Sequence, residues 1–421
     1  MGRGRVGWVV GAAIAALVGL GACGGGDGHG QQTGEGGAGG GGPGGPLSQR
    51  PSPAFALFDD TRVHDISLTM SASDWQSIID NSQGDTWLHA SVSYDGVVVD
   101  DVGVHPTGES SRFAGNVKQS FRIKFNAFDG KGKFGGYEDV NVKGEYDDDS
   151  MMRERLAMFV FGTLMPAPKL AHARVVVNGD LRGLFTLRED WDSTSIAEHF
   201  SEPVGPLYRI RPLAWTDDPY KYAGDNQMTY VPVPWERHIT MAARGDEVVA
   251  PFLQALSMNP APLDSVADVD DLLAYLAGDA ICMLTDGFTG DTGVADHFQY
   301  FDPQSGKFFI LPWDPDNSFA SHGETPDRYL YARFSRSTLA TVVRDQGDWR
   351  TRYKQKIADA MAKIPAATLQ AQADAIYAQI KDAAHEDPIK AFSNDTFDWN
   401  LGYVKDFITA RYAYLQTQVG N

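Results

Sequence analysis

Fourteen of the 23 residues from 24 to 46 are glycine. Such a run has almost no side chains to pack and loses much chain entropy on ordering, so no core can form in it. With the proline-containing stretch to Pro53 it reads as a flexible tether of about 30 residues, with a root-mean-square reach of roughly 30 Å. Whatever folds must lie beyond it. The chain of 421 residues still leaves room for two ordinary domains or one large one. Its 43% apolar and 11% aromatic content supports a sizeable core and excludes global disorder.

Ahead of the tether, residues 1–22 read as a secretory signal, with Arg3 and Arg5 before an apolar stretch from Val9 to Leu20. It closes on Leu20-Gly21-Ala22-Cys23, which resembles the bacterial lipoprotein box. The resemblance implies cleavage before Cys23 and acylation of that residue, hence a lipid anchor; cleavage near Ala22 with a free Cys23 is the plain alternative. Several acyl chains hold a protein on a membrane where one is marginal. Lys and Arg number 36 against 55 Asp and Glu, a net charge of −19 that argues against a nucleic-acid partner. Two cysteines, Cys23 and Cys282, allow neither a disulfide scaffold nor a cysteine zinc cluster. Cys282 is expected to be a buried apolar residue.

From Phe55 the chain turns globular. Strand patterns occupy Val63–Met70, His89–Tyr94, Val97–Val104, Ser120–Phe125, Val140–Lys143, Ala173–Val177 and Leu184–Leu187. Asp95-Gly96 and Asn178-Gly179 read as hairpin turns. Ser71 caps a short helix running to Ile79. Asp149 or Ser150 is expected to cap a second helix, whose Met152, Leu156, Phe159, Val160 and Leu164 face the core and which ends before Pro166. Further on, a helix from Val269 to Leu284, a hairpin of Phe298–Phe301 with Phe308–Leu311, and helices from Trp349 onward are expected. Gly130-Lys-Gly132-Lys-Phe-Gly135 matches G-x-G-x-x-G but leads into a strand, so it reads as a hairpin loop and not a dinucleotide turn.

Three stretches carry chemistry. Thr107-Gly-Glu-Ser-Ser-Arg112, followed by Lys118, Arg122 and Lys124, offers amides, hydroxyls and cations suited to phosphate; a polar loop beside a solvated strand face is the bland reading. Asp286-Gly-Phe-Thr-Gly-Asp291-Thr-Gly-Val-Ala-Asp296 concentrates hard oxygen donors suited to magnesium or calcium, or is a solvated acidic loop. Trp313-Asp314-Pro-Asp316 ends an apolar strand, where a chelating carboxylate is well held or a turn aspartate caps the backbone.

Taken in order, VGVHPTGESSRF, KQSFRIKF, DVNVKGEYDDDSMMRERLAMFVFG, GPLYRI, TDGFTGD, HFQYFDPQSGKFFILPWDPDNSF and DFITARYAYL resemble the spore-coat-protein-H (CotH) kinase family over about residues 60–418. The resemblance implies an α+β, atypical protein-kinase-like fold of two lobes. Residues 54–205 would form a mixed-sheet, nucleotide-binding N-lobe and 206–421 a mainly helical catalytic C-lobe, after the signal (1–22) and tether (23–53). It implies a phosphate-facing loop at Gly108, Ser110, Ser111 and Arg112. Lys118 or Lys124 would hold nucleotide phosphates, Glu154 would be the lysine's ion-pair partner, and Glu189 would stand at the nucleotide hinge. It implies Asp286, or Asp291 in a lengthened loop, as the catalytic carboxylate, and Asp296, Asp314 and Asp316 at the metal. Thr107 and Glu109 depart from the family's Arg-Gly-Asn-Ser-Ser.

The expected function is therefore an ATP- and Mg2+-dependent kinase, with Ca2+ or Mn2+ as alternative ions. It would act outside the cytoplasm on Ser or Thr of an envelope, surface or coat protein, held to the membrane through Cys23. The alternative is a catalytically silent kinase-like scaffold lipoprotein at the cell envelope.

Overall fold

The computed structural model describes residues 56–82, 84–108, 111–128, 130, 132–239 and 242–420; Cys23, Glu109 and Ser110 lie outside them, as do the signal-like and Gly-rich segments. In chain order the first elements are β1 (Val63–Met70), α1 (Ala72–Ile79), β2 (Leu88–Tyr94), β3 (Val97–Pro106), β4 (Phe121–Lys124), β5 (Asp139–Lys143), α2 (Arg153–Leu164), β6 (Leu170–Val177), β7 (Asp180–Arg188) and α3 (Ser193–His199). Alternation drives the strands: in β1, His64, Ile66 and Leu68 are buried while Asp65 and Ser67 face out. Asp95 and Gly96 both take positive φ (50° and 82°), as do Asn178 and Gly179 (51° and 90°), the pairing that tight hairpins require.

The seven strands close into a barrel in the order β1-β2-β3-β4-β5-β7-β6. Every neighbouring pair is antiparallel except β1 and β6, which run parallel from Val63↔His172 to Leu68↔Val177 and complete the ring. The mixed sheet expected from sequence is thus a closed barrel, filled by side chains such as Ile66, Val92, Ile123 and Val175.

The second half comprises β8 (Leu207–Ile210), β9 (Trp235–Arg237), α4 (Val249–Leu256), α5 (Leu263–Val266), α6 (Val269–Cys282), β10 (His297–Asp302), β11 (Lys307–Pro312), α7 (Thr338–Asp345), α8 (Trp349–Lys363), α9 (Ala366–Glu386) and α10 (Asn394–Val419). It is helix-rich, as expected, but also holds a four-stranded antiparallel sheet, β11-β10-β8-β9. β9 is three residues long and carries too little pattern to be read locally. The whole is α+β.

α2 joins the barrel to this helical core. Its N-cap residue is Met152, not Asp149 or Ser150, although Ser150 Oγ accepts from the Met152 amide at 3.3 Å. Asp148 accepts from the Met152 and Arg153 amides at 3.0 and 2.8 Å, because Met151 turns through φ 51° and brings the earlier carboxylate under the helix start. α2 lies close on α6, where a Cβ on Gly278 would stand 2.6 Å from the Phe161 ring. Cys282 is fully buried at the end of α6.

Candidate active site

β5 and β7 pair antiparallel with Asn141↔Arg188 and Lys143↔Thr186, so Lys143 and Arg188 are diagonal neighbours on one face of the sheet. α2 follows β5 and presents Glu154 in its first turn to both cations. Lys143 Nζ donates to Glu154 Oε2 at 2.9 Å, to Asp316 Oδ2 at 2.8 Å and to Asp314. Arg188 Nη1 donates to Glu154 Oε1 and Asp314 Oδ1, both at 2.7 Å, and its guanidinium lies 3.9 Å above the Trp313 ring. Two cations and three carboxylates therefore share one spot at the base of a cleft of about 580 Å³.

The charges there are strongly perturbed. Burial disfavours the Lys143 ammonium, yet Asp314, Asp316 and Glu154 hold its pKa well above the ordinary lysine value. Burial likewise opposes ionisation of Asp314, but Arg188 and Lys143 outweigh it and keep the carboxyl far below the usual range. Burial pushes Asp316 up to about 7 despite Lys143. Two neighbouring carboxylates with such different proton affinities mark a site where charge is managed.

Other expected residues divide sharply. Gly108, Ser111, Arg112, Asp286, Asp296, Asp314 and Asp316 all line the cleft. Asp296 and Asp314 hold left-handed backbone, φ 48° and 53°, a strain that turns both carboxylates out of the ends of β-structure. Asp296 Oδ1 is 3.9 Å from Arg209 Nη2. Asp286 accepts from Asn317 Nδ2 at 3.0 Å and from the Thr292 hydroxyl. Asp291, by contrast, does not line the cleft; its carboxylate is held by Arg333.

Lys118 does not line the cleft either. Its buried ammonium donates to Asp387 and to Leu184 O (2.8 Å), stitching the start of β4 to the α9–α10 connection. Lys124 lies 5.8 Å from the centre of the Trp87 ring, also outside the lining. Glu189 accepts from the Lys169 amide at 2.9 Å; burial raises it to about 7, and it too stays out of the cleft. Lys118 stands before β4 and Lys124 at its far end, so neither reaches Glu154, whereas β5 ends directly beside α2.

Lys143, Arg188 and Asn317 are the residues that sequence reasoning passed over. The signal for Lys143 was its place at the end of a strand directly ahead of the helix bearing Glu154. Arg188 similarly ends the apolar strand Leu184–Leu187, one residue before Glu189.

Among the described residues no three His, Cys, Asp or Glu side chains converge as a metal cluster. Asp314 and Asp316 supply a pair of hard oxygen donors. That set suits Mg2+, which is commonly bound by one or two carboxylates plus substrate phosphates and retained waters.

The family described as CotH kinase protein matches residues 104–415 of this chain. The chain belongs to the CotH kinase family. The match begins near the end of β3 and so contains every cleft residue named above. Inner spore coat protein H of Bacillus subtilis (strain 168) is 24% identical over 315 residues, covering 71% of this chain and 82% of that protein. Glu154, for which the sequence resemblance had implied Lys118 or Lys124 as partner, is paired with Lys143 instead.

Proposed function

We propose that this chain transfers the γ-phosphoryl group of ATP to a Ser or Thr hydroxyl of an envelope, surface or coat protein. The observation that carries this reading is the Lys143–Glu154 pair at the cleft base, with Asp314 and Asp316 on the same ammonium. Kinases hold nucleotide phosphates with a lysine oriented by a helix glutamate and faced by a metal-binding aspartate. Lys143 takes that role here, and Arg188 brings a second cation to the same point. Arg112 adds a third at the cleft wall; its guanidinium donates to the neutral Asn81 Oδ1 (2.7 Å) and Gly84 O (3.1 Å).

Asp314 and Asp316 would hold Mg2+, or Mn2+ in its place; a Ca2+ site asks for about six to eight oxygens. The bound ion supplies charge neutralisation on the phosphates. Asp296, which also lines the cleft, is a further carboxylate for the same site. Asp286 orients the acceptor hydroxyl and accepts its proton as the oxygen bonds to phosphorus and ADP departs. Lys143 and Arg188 neutralise the oxygens of the group in transfer.

The relative's name, an inner spore coat protein, supports a place outside the cytoplasm at a coat or envelope surface. Among the described residues no helix is long and apolar enough to cross a membrane. Attachment on this reading is through a lipid at Cys23.

The test is incubation with γ-labelled ATP and Mg2+, following label into the chain itself, with Lys143→Met as control. Label in the wild type and none in the variant is the expected result. One observation favours a silent scaffold instead: Lys143 and Arg188 are already matched by carboxylates. That second reading requires no labelling and no rise in melting temperature with MgATP.

A further inference from the structure

We propose that Asn317 and His322 are positioning residues that fix the orientation of the Asp286 carboxylate; the inference rests on the phosphotransfer reading above. Asp286 lies in the loop after α6, where no helix or strand restrains its side chain. Two side chains do so instead, Asn317 through Nδ2 on Oδ2 at 3.0 Å and Thr292 through its hydroxyl on Oδ1. A carboxylate only accepts, so the Asn317 amide nitrogen must face it and the amide oxygen must face away. His322 Nε2 stands 2.7 Å from that oxygen, and Ser321 Oγ 3.5 Å. The oxygen cannot donate, so His322 donates from Nε2. Both the neutral Nε2–H tautomer and the imidazolium can do this. The hydrogen bonds thus run in one direction, from His322 through Asn317 to Asp286.

The backbone is arranged around this chain of bonds. Thr285, next to Asp286, donates its amide to Asn317 O at 2.8 Å and its hydroxyl to Glu324 Oε1 at 2.5 Å. Glu324 Oε2 in turn accepts from the His322 amide at 3.1 Å. Between Asn317 and His322, Phe319 and Ala320 both hold left-handed backbone, φ 50° and 58°. Consecutive residues bearing a Cβ adopt that conformation only where their surroundings impose it. Here the buried Phe319 ring and its amide bond to Cys282 O (2.8 Å) impose it, turning the chain so that His322 returns over Asn317. His322 itself is exposed and contributes little to the core. With its oxygen taken by His322 and its nitrogen by Asp286, Asn317 serves the carboxylate and leaves metal binding to Asp314 and Asp316.

Misorienting a group that positions the acceptor costs rate and not nucleotide affinity. The experiment compares the full-length wild type with His322→Phe, His322→Gln and Asn317→Leu. It reads transfer of labelled γ-phosphate into the chain, MgATP affinity by calorimetry, and the His322 tautomer by nitrogen–proton NMR correlation. His322→Phe and Asn317→Leu should slow transfer about ten- to a hundredfold with MgATP affinity within twofold. His322→Gln, which still offers an N–H, should recover most of the rate. In the wild type the His322 proton should sit on Nε2, and Asn317→Leu should abolish that preference. Wild-type transfer by the exposed-site variant His322→Phe, or an Nδ1–H tautomer in the wild type, overturns the proposal. A wild type that transfers no phosphate while His322 keeps its Nε2–H refutes the phosphotransfer reading itself, and the positioning role falls with it.

Discussion

Replacing Lys118 and Lys143 by methionine should separate folding stability from nucleotide binding. Lys118 is 6% exposed and its partner Asp387 fully buried; Asp387 also accepts three backbone amides, from Leu184, Ile389 and Lys390, each at 3.0 Å. Burial pushes the Lys118 ammonium down to about 8, with Asp387 countering it. Lys118→Met removes the buried cation paired with this aspartate and leaves it only the backbone amides, a loss of roughly 3–5 kcal/mol. MgATP affinity should stay within about twofold, since nothing in the cleft is touched. Lys143→Met removes instead one charge-assisted bond to phosphate, worth about 1.5–3 kcal/mol, or roughly a ten- to hundredfold loss of MgATP affinity. Its stability cost should be the smaller of the two, because Arg188 still pairs with Glu154 and Asp314, and Asp316, already raised to about 7, can take up a proton. Urea unfolding and calorimetric MgATP titration read the two quantities. A Lys118→Met protein that loses MgATP binding with an unchanged unfolding midpoint would place Lys118 at the nucleotide after all.

Asp286→Asn should spare MgATP binding and cut turnover about a hundredfold, Asp314→Asn should weaken both, and Asp291→Asn should change neither much, as single-turnover kinetics on the three will show. Because burial pushes Asp316 up to about 7, MgATP affinity should rise between pH 6 and 8, and Asp316→Asn should flatten that rise in calorimetry. Glu145 is 3% exposed and burial pushes it to about 8, above its ordinary 4.5. The folded chain therefore holds a proton that the unfolded chain releases, and stability should fall by up to about 1.4 kcal/mol per pH unit from pH 5 to 8. Urea unfolding of Glu145→Gln should lose that slope. Cys23→Ala should release the protein from membranes in a fractionation experiment, since the glycine tether offers nothing apolar to insert; retention at the wild-type level counts against the lipid anchor.

Much of the local structure was legible in the residues themselves. β1 occupies the very span its alternation marks, and Asp95-Gly96 and Asn178-Gly179 form their turns because neighbouring residues alone set the backbone preference. α6 is capped by Asp268, whose side chain accepts from the Asp271 amide three residues on, again a local interaction. It stops short of the expected Leu284 because Met283 turns left-handed under packing that its own sequence does not announce. At α2 the carboxylate that holds the helix start is Asp148, ahead of the expected Asp149 or Ser150, for the same kind of reason.

Long-range partners followed other rules. Lys118 and Lys124 looked like phosphate ligands because a strand pattern says which residues share a face but not what that face meets. Lys118 meets Asp387, 269 positions away, and Lys143 meets Asp314, 171 positions away. Barrel closure is equally nonlocal: β1 pairs with β6 although four strands, β2 to β5, separate them in the chain, and no periodicity in either strand encodes the partner. Side-chain alternation and turn chemistry are properties of a few adjacent residues, so they survive in the one-dimensional order. Which lysine receives Glu154 depends on where β5 ends relative to α2. Burial and charge complementarity settle that once the whole chain has packed.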